Sequence, residues 1–365
     1  MIIQFTDKEL FVSRVCWYLI YLILFFLLMY IVYMRQLESR ECSFMDGLYS
    51  TIDGNLRSIN ESDPNCGYTL KDYYIKTAYN CCNGGNYKND FVSLCNLKDV
   101  IKQGVRCLDF EIYNIEGNPV IASSTQDSYY IKETLNYINF SDALSTIANY
   151  AFSGSTCPNS TDPILIHLRI KSNDQDVYTN MANILTTYDN YLLGKEYSFE
   201  NRNRNLGDVP LLSLKSKIII IVDRLNTAFF ENKPFLEYVN ITSNSIFMRA
   251  LNYYDVKYTP DLLELQTYNK KNMTIALPDT GSNPANSSGI VVREAGCQMI
   301  AMRYQQVDQY LLESTLFFDK AGYAFVLKPE RLRFIPVTIP DPIPQDPSNN
   351  YATRSYSEDY YSFNI

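Results

Sequence analysis

An uninterrupted apolar run near the start of the chain is its strongest pattern. Residues 15–34 (VCWYLIYLILFFLLMYIVYM) contain no charged residue and are bracketed by Arg14 and Arg35. As a helix they would rise about 30 Å, the thickness of a bilayer's hydrocarbon core. The run therefore predicts a transmembrane helix, with Trp17 and Tyr33 near its ends as interfacial anchors. A cleaved signal peptide is the alternative, but its apolar region is usually about 7–15 residues and is followed by small residues.

Beyond this run, short apolar stretches alternate with amphipathic ones. Residues 131–152 and 176–193 place apolar side chains three and four positions apart, which is typical of helices. Residues 162–170 and 217–224 are nearly continuous β-branched or aliphatic runs, as in parallel strands that are buried on both faces. This alternation of strands and helices predicts a parallel α/β barrel, a fold that typically takes about 250 residues.

Three further segments complete the predicted organisation. Residues 1–14 precede the span, and residues 35–66 form a polar stalk that is broken by Gly54 and Pro64. Residues 336–365 begin with a proline-rich stretch (PVTIPDPIPQDP) and end in a Tyr/Ser-rich sequence, which predicts an extended tail.

The charge and the cysteine content of the chain narrow its possible partners and the compartment in which the barrel lies. The net charge of −8 provides no basic footprint for nucleic acid. Of the nine cysteines, Cys16 lies in the span, and the remaining even number suits disulfides in an oxidising compartment. Two cations flank each side of the span, so the positive-inside rule gives a tie. The cysteines therefore favour a barrel on the non-cytosolic side of the membrane.

Sequons for N-glycosylation point the same way, although a chain rich in Asn, Ser and Thr forms several by chance. They begin at Asn60, Asn139, Asn159, Asn240, Asn272 and Asn286.

The candidate chemistry centres on residues 104–113 (GVRCLDFEIY), an alternating stretch that predicts a strand. Asp109 and Glu111 lie on one face of this strand, with apolar residues on the other. Two adjacent carboxylates repel each other unless a metal ion, an Arg or Lys side chain, or a shared proton lies between them.

The same stretch resembles the Gly-x-Arg-x-x-Glu-x-Asp strand of eukaryotic-type phosphoinositide-specific phospholipase C, with the two acids exchanged. Residues 71–80 (KDYYIKTAYN) resemble the first strand of that family's X half. Residues 296–305 (GCQMIAMRYQ) and 322–329 (GYAFVLKP) resemble the end of its Y half. The resemblance implies a distorted (β/α)8 TIM barrel, preceded here by one transmembrane helix.

The resemblance covers residues 67–335. Its X-like half spans about residues 67–225, and its Y-like half spans about residues 240–335.

The family's catalytic residues are missing from the matching positions. Its two catalytic histidines correspond to Tyr79 and Thr125, so both proton carriers are lost. Its phosphate-binding cations correspond to Ile221, Asp223 and Ile275, and a carboxylate there would repel a phosphorylated headgroup. The resemblance therefore implies a pseudoenzyme.

The family's calcium site is only partly retained. Asn80, Asp109 and Glu111 match ligand positions, whereas Arg169 stands where the family has a further Glu. Two hypotheses follow: Arg169 pairs with the acids in a salt-bridged polar centre, or the three oxygen ligands bind Ca²⁺ with the help of water. The first explains the acids better. Ser123 is a further candidate at the barrel mouth.

The chain has one histidine, His167, which occupies neither catalytic position of the family. A structural role for it is therefore favoured over a catalytic one.

These observations predict a membrane-anchored, catalytically inactive phospholipase-C-like barrel with a structural or binding role. It would contact the bilayer through residues 15–34 and would bind a phosphoinositide headgroup or a protein partner. Tethered barrels of this kind resemble proteins of large DNA viruses, which places a virion or host membrane among the expected settings. The alternative is an active phosphoric diester hydrolase acting on phosphoinositides or related lipids through a remodelled, calcium-dependent site. A third hypothesis is a module that binds calcium or a headgroup without turnover.

Overall fold

The computed structural model describes residues 7–336, 340–342, 344 and 352–365, with side chains from residue 11 onward. Most of the predicted proline-rich stretch at residues 336–347 lies outside the described residues.

The helices alternate with the strands along most of the chain. Within the described residues they are α1 (Asp7–Leu48), α2 (Leu94–Lys102), α3 (Phe140–Tyr150), α4 (Gln175–Thr186), α5 (Ser198–Asn203, largely wound left-handed), α6 (Lys233–Leu236), α7 (Tyr253–Lys257), α8 (Leu262–Lys271), α9 (Gly289–Glu294) and α10 (Gln309–Ala321).

The described strands are β1 (Tyr73–Ala78), β2 (Cys107–Ile115), β3 (Asn118–Ala122), β4 (Ile138–Asn139), β5 (Ile164–Lys171), β6 (Ile218–Asp223), β7 (Ile241–Ser243), β8 (Met248–Asn252), β9 (Met273–Leu277), β10 (Met299–Met302), β11 (Phe325–Leu327), β12 (Ser355–Glu358) and β13 (Tyr361–Asn364).

Eight parallel strands form the barrel. Their order is β7-β6-β5-β2-β1-β10-β9-β8, and the ladder is open between β7 and β8. Strand β11 pairs antiparallel with β1, and β3 folds back on β2 as a hairpin. This architecture confirms the predicted distorted TIM barrel preceded by a long apolar helix.

Strand β6 shows why the barrel strands are apolar throughout. Ile218, Ile220 and Val222 belong to the hydrophobic cluster that also contains buried helix residues, which is the outer layer of the barrel. Ile219 and Ile221 belong to the cluster formed by the inward faces of other strands. Because both faces are covered, alternation with polar residues is not required.

Helix α1 is longer than the predicted span. It continues past residue 34 to Leu48, so the first part of the predicted stalk is helical. The reason is packing, because Met45 is fully buried against the barrel and Tyr49 Oη donates a 2.7 Å hydrogen bond to the Tyr304 carbonyl. By contrast, the side chains from Phe11 to Tyr33 do not pack against the barrel and are exposed.

In its length and hydropathy, α1 is the one described helix that suits a membrane span, and a signal sequence would meet the same criteria. Full-length protein is therefore expected to stay in the membrane pellet through alkaline carbonate washing. A fragment beginning at Gln36 keeps the docked turn around Met45 but lacks the span, so it should appear in the supernatant. Release of the full-length protein by the wash would contradict a membrane-spanning helix.

The cysteines pair less than their even number suggested. Cys42 of α1 and Cys95 of α2 form a disulfide with a Cα–Cα distance of 5.8 Å. Cys66, Cys81, Cys82, Cys107, Cys157 and Cys297 are buried free thiols. Free Cys is among the most buried residue types because it packs as a small hydrophobe, so an even count is a weak guide to pairing.

Peptide mapping without reduction is expected to recover one cross-linked pair, joining the peptides of Cys42 and Cys95. Alkylation of the folded protein should leave the buried thiols unlabelled, whereas alkylation after unfolding should label them, with Cys297 as a convenient reporter. Native protein in which Cys42 and Cys95 are both alkylated without reduction would refute the pairing and the oxidising setting.

Residues 335–365 form a separate unit. Its described part contains the antiparallel hairpin of β12 and β13, on which Tyr356 stacks with Phe363 at a ring distance of 5.8 Å.

Candidate functional site

The acidic residues and their cationic partner come from two neighbouring strands. Strands β2 and β5 pair in parallel, with Asp109 opposite His167 and Glu111 opposite Arg169. Asn80 follows β1, which pairs with the other side of β2. Asp109, Glu111 and Arg169 are each at most 1% exposed. The structure thus brings together four of the five predicted mouth residues.

Arg169 lies between the two acids and uses both edges of its guanidinium. Its Nε and Nη2 atoms donate to Asp109 Oδ1 and Oδ2 at 3.1 and 2.7 Å. Nη1 donates to Glu111 Oε1 at 2.9 Å and to Asp127 Oδ1 at 2.8 Å, and Nη2 also donates to Asn80 Oδ1 at 2.9 Å. These five bonds use all five N–H groups of the guanidinium. The pairing with Asp109 is bidentate, which is the strong geometry for this ion pair.

The remaining oxygens of the two acids are also occupied. Glu111 Oε2 accepts from Tyr113 Oη at 2.6 Å and from the Ser124 amide at 3.0 Å. Asp109 Oδ2 also accepts from the Asn80 amide at 3.3 Å. Burial and the neighbouring Glu111 charge raise the pKa of Tyr113, so its phenol stays a proton donor to the carboxylate.

The electrostatics favour the ionised pair. Burial opposes ionisation of Asp109, but the charge of Arg169 and the hydrogen bond with His167 outweigh it, so the pKa of Asp109 falls below its usual value. Burial likewise opposes the charge of Arg169, and Asp109 outweighs it, so the pKa of Arg169 rises further. The site is therefore a fixed ion network at neutral pH.

The calcium ion implied by the family resemblance does not fit these residues. Ca²⁺ takes about 6–8 oxygen ligands. The available oxygens of Asn80, Asp109 and Glu111 are already bonded to Arg169, whose guanidinium fills the space between them. Across the part of the chain that the structure describes, no group of three His, Cys, Asp or Glu side chains is placed to hold a metal.

The two positions that match the family's catalytic histidines have other contacts. The Tyr79 ring lies under the Arg169 guanidinium at 4.6 Å, and burial raises the pKa of Tyr79 well above its usual value. Thr125 is tied into its own loop, because its hydroxyl and its amide donate to Glu133 Oε2 at 2.6 and 2.8 Å. Neither group is arranged to exchange a proton with a substrate near neutral pH.

Ser123 does not join the network around Arg169. Its hydroxyl donates to Asn83 Oδ1 at 2.6 Å instead.

Loops close the mouth of the barrel above Arg169. The Gly281 amide donates to the Thr125 carbonyl at 2.9 Å, and the Tyr87 amide donates to the Ser282 carbonyl at 3.0 Å. The cleft that remains is too narrow for a water-sized sphere. It is lined by Tyr79, Tyr87, Ser124, Thr125, Gln126, Asp127, Asp279, Thr280, Gly281 and Pro284.

The network continues through His167, for which the sequence favoured a structural role, to Ser243, which the sequence did not single out. His167 Nδ1 lies 2.7 Å from Asp109 Oδ1, and its Nε2 lies 3.0 Å from Ser243 Oγ. Ser243 in turn donates to Asp223 Oδ1 at 3.3 Å. Asp109, His167 and Ser243 are all fully buried, so this line of hydrogen bonds connects β2, β5 and β7 inside the barrel. Strand β7 is three residues long, too short for a periodic pattern to mark Ser243 in advance.

Part of the chain is similar to a known family. Residues 67–224 match the sequence model of the family described as phosphatidylinositol-specific phospholipase C, X domain. No curated protein matches the chain significantly in sequence.

Solved structures share the barrel. PLC21 of L. pealei superposes with a TM-score of 0.60 at 19% identity, over 74% of this chain and 38% of that one. PLC21 of S. officinalis gives a TM-score of 0.59 at 19% identity, over the same shares of the two chains. This chain therefore spans well under half the length of either structure, and at this identity the likeness establishes the fold. The chain has the barrel fold of the phospholipase-C-like phosphodiesterases, and its residues 67–224 are similar to their X domain.

Proposed function

We propose that this protein is a membrane-anchored phospholipase-C-like barrel that does not hydrolyse phosphodiesters and acts as a structural or binding protein at the membrane. The proposal rests on one observation, which is that the barrel mouth is filled and closed. All five N–H groups of Arg169 are bonded to protein oxygens, and the loops above it leave no cleft that would admit a substrate.

The residues at the family's phosphate-binding positions support the same proposal. Ile221 and Ile275 are fully buried in the inward-facing apolar cluster of the barrel. The carboxyl group of Asp223 accepts from Asn244 Nδ2 at 2.7 Å. A phosphorylated headgroup would therefore meet apolar carbon or a carboxylate, both of which disfavour it.

The membrane role rests on the apolar span at residues 15–34 and on the direct continuation of α1 into the barrel. The oxidising setting that the disulfide of Cys42 and Cys95 requires favours a barrel on the non-cytosolic side. The setting in a virion or host membrane rests on the sequence resemblance alone.

A second candidate function is favoured by the contact between His167 and Asp109. An imidazole that is hydrogen-bonded to a carboxylate on one nitrogen and to a hydroxyl on the other is an arrangement that hydrolases use. Such an enzyme would require the loops around Thr125 and Gly281 to open, because His167 and Ser243 are fully buried.

A hydrolysis assay separates the two candidates. Vesicles of phosphatidylinositol and its phosphorylated forms are incubated with the protein, with and without calcium, and released inositol phosphates are counted beside an active calcium-dependent phospholipase C. Release at the control enzyme's rate would refute the proposed function.

A further inference from the structure

The structure separates the six sequons for N-glycosylation by their burial. Three of their asparagines are at most 4% exposed, namely Asn159, Asn240 and Asn286. Each of the three also donates from Nδ2 to a backbone carbonyl, at distances between 2.9 and 3.2 Å. A glycan is bulky and occupies the protein surface, so the folded barrel has no room for one at these positions.

Two further sequons are tied into secondary structure. Asn272 is half-buried, its Oδ1 accepts from Asn205 Nδ2 at 3.4 Å, and the hydroxyl-bearing residue of its sequon, Thr274, is fully buried in β9. Asn139 is exposed, but it lies in β4, and its Nδ2 donates to Asp142 Oδ2 at 3.1 Å at the start of α3. A glycan on Asn139 or Asn272 would therefore disturb contacts that the fold already uses.

The remaining sequon, Asn60-Glu61-Ser62, lies in a surface turn. All three of its residues are exposed. The Asn60 side chain forms an Asx turn, because its Oδ1 accepts from the Ser62 amide at 3.0 Å. Among the described residues, no protein oxygen accepts from Asn60 Nδ2, so the fold does not engage the nitrogen to which a glycan is attached.

Buried neighbours fix the place of Asn60 on the barrel. Leu56, Ile59 and Cys66 are at most 5% exposed, and the Ile59 amide donates to Asp162 Oδ1 at 2.8 Å. Asp162 precedes β5, so Asn60 lies at the amino-terminal end of the barrel strands, opposite the mouth. A glycan there would extend from the surface without meeting the contacts that close the mouth.

The disulfide indicates the compartment in which Asn60 lies. Cys42 is bonded to Cys95, and this bond requires an oxidising compartment. Within the described residues no helix after α1 suits a membrane span, so Asn60 lies on the same side of the membrane as Cys42. The lumen of the endoplasmic reticulum both oxidises cysteines and attaches N-linked glycans. Asn60 is also the first of the six sequons after the predicted span, so it enters that compartment before the barrel strands do.

We infer that Asn60 carries an N-linked glycan and that the other five sequons stay unmodified. The transferase joins Asn60 Nδ2 to the first sugar of a lipid-linked oligosaccharide diphosphate. The bond between that sugar and the diphosphate breaks, the lipid diphosphate leaves, and one Nδ2 proton passes to a base of the transferase. The inference rests on the non-cytosolic barrel in the proposed function, and it makes the end of the barrel opposite the mouth a sugar-covered surface.

Translation of the full chain with microsomes from the endoplasmic reticulum tests this inference. Mobility on a denaturing gel is compared before and after treatment with peptide N-glycosidase, and mass spectrometry locates the asparagine that this enzyme converts to aspartate. One glycan is expected on most of the inserted chains, at Asn60. Asn139→Gln is the matched control and should not change the mobility shift, because Asn139 is the other asparagine of the six that is exposed.

Variants of the turn separate the sequon from the fold. Asn60→Gln and Ser62→Ala should both lose the mobility shift. Ser62→Ala keeps the backbone amide that closes the Asx turn, so a lost shift there is not an effect of folding. Ser62→Thr should keep the shift, because threonine preserves the sequon.

A glycan that persists in Asn60→Gln, or that maps to another sequon, would overturn the inference. So would an unglycosylated full-length protein that resists carbonate washing and has Cys42 and Cys95 cross-linked, because its anchoring and its oxidation would be intact. Release of a chain glycosylated at Asn60 by the carbonate wash would support the glycan and refute the anchoring. An unglycosylated chain in which both thiols are free would refute the inference together with the non-cytosolic placement.

Discussion

Replacing Arg169 with methionine is expected to lower the free energy of unfolding by about 3–5 kcal/mol, because it leaves two buried carboxylates without their cation. Asp109 and Glu111 are at most 1% exposed, and each is bonded to the guanidinium at 3.1 Å or less. Chemical denaturation of the fragment that begins at Gln36, followed by circular dichroism, measures the loss.

Arg249→Met is the matched control. Arg249 also forms a bidentate pair with a carboxylate, Glu264, at 3.0 and 2.8 Å, but the two side chains are 34% and 52% exposed. Solvent screens such a pair, so the substitution should cost less than about 1 kcal/mol. If Arg169→Met costs no more than Arg249→Met, the network at the mouth contributes little to the fold.

The native protein and the Arg169→Met variant should also differ in how their stability responds to pH. In the native protein the pKa of Asp109 is lowered, so its contribution to stability is present above its unfolded pKa of about 3.9 and is lost only as pH falls through the lower folded pKa. This contribution is therefore constant between about pH 8 and pH 5. In Arg169→Met, burial without a cation raises the pKa of the carboxyls, so the unfolding free energy should increase as pH is lowered over the same range.

The polar centre could be predicted because strand geometry is regular. Asp109 and Glu111 are two positions apart in one strand, so they lie on one face, and the apolar run around Arg169 predicts a second strand. In a parallel barrel the carboxyl ends of all strands meet at one face, which is enough to bring Arg169 to the acids. The same regularity made the barrel predictable. Residues 217–224 have the sequence pattern of a strand that is buried on both faces, and β6 in this segment is such a strand.

The parts that could not be predicted depend on loop paths and long-range packing. Asp127 reaches Arg169 only because the segment after β3 returns over the mouth, and no local pattern records that path. The closure of the mouth depends on Gly281 meeting Thr125 across 156 residues of chain. The helical extension to Leu48 depends on Met45, which packs against the barrel. The residues around Met45 are mostly polar, so the sequence gives no sign of this contact. Cys42 pairs with Cys95 because α1 packs against α2. The number of cysteines in a sequence carries no information about such packing.

The second large effect is on catalysis. The protein is expected to release no measurable inositol phosphate from phosphatidylinositol or its phosphorylated forms, with or without calcium. Family catalysis needs one group to take a proton from the inositol hydroxyl and another to give a proton to the leaving oxygen, and each typically contributes about 10²–10⁴-fold in rate. Loss of both removes about 5–10 kcal/mol of transition-state stabilisation.

Restoring the two histidines separates loss of the proton carriers from closure of the mouth. A Tyr79→His/Thr125→His variant supplies both proton carriers but leaves Arg169 bonded to both acids and the Gly281 to Thr125 contact in place, because that contact uses the backbone. It should therefore stay inactive, with a thermal midpoint that calcium does not change. If only the histidines were limiting, the hydrolysis rate of the variant would rise by about 10⁴-fold or more.

A different result would contradict the closed mouth. Calcium-dependent hydrolysis by the unmodified protein that disappears in Asp109→Asn would show that the mouth opens and that Asp109 serves an active site. Asp109 contacts both Arg169 and His167, so the Asp109→Asn substitution also removes contacts that support the fold. Circular dichroism must therefore show that the Asp109→Asn variant is folded before its loss of activity assigns Asp109 a catalytic role.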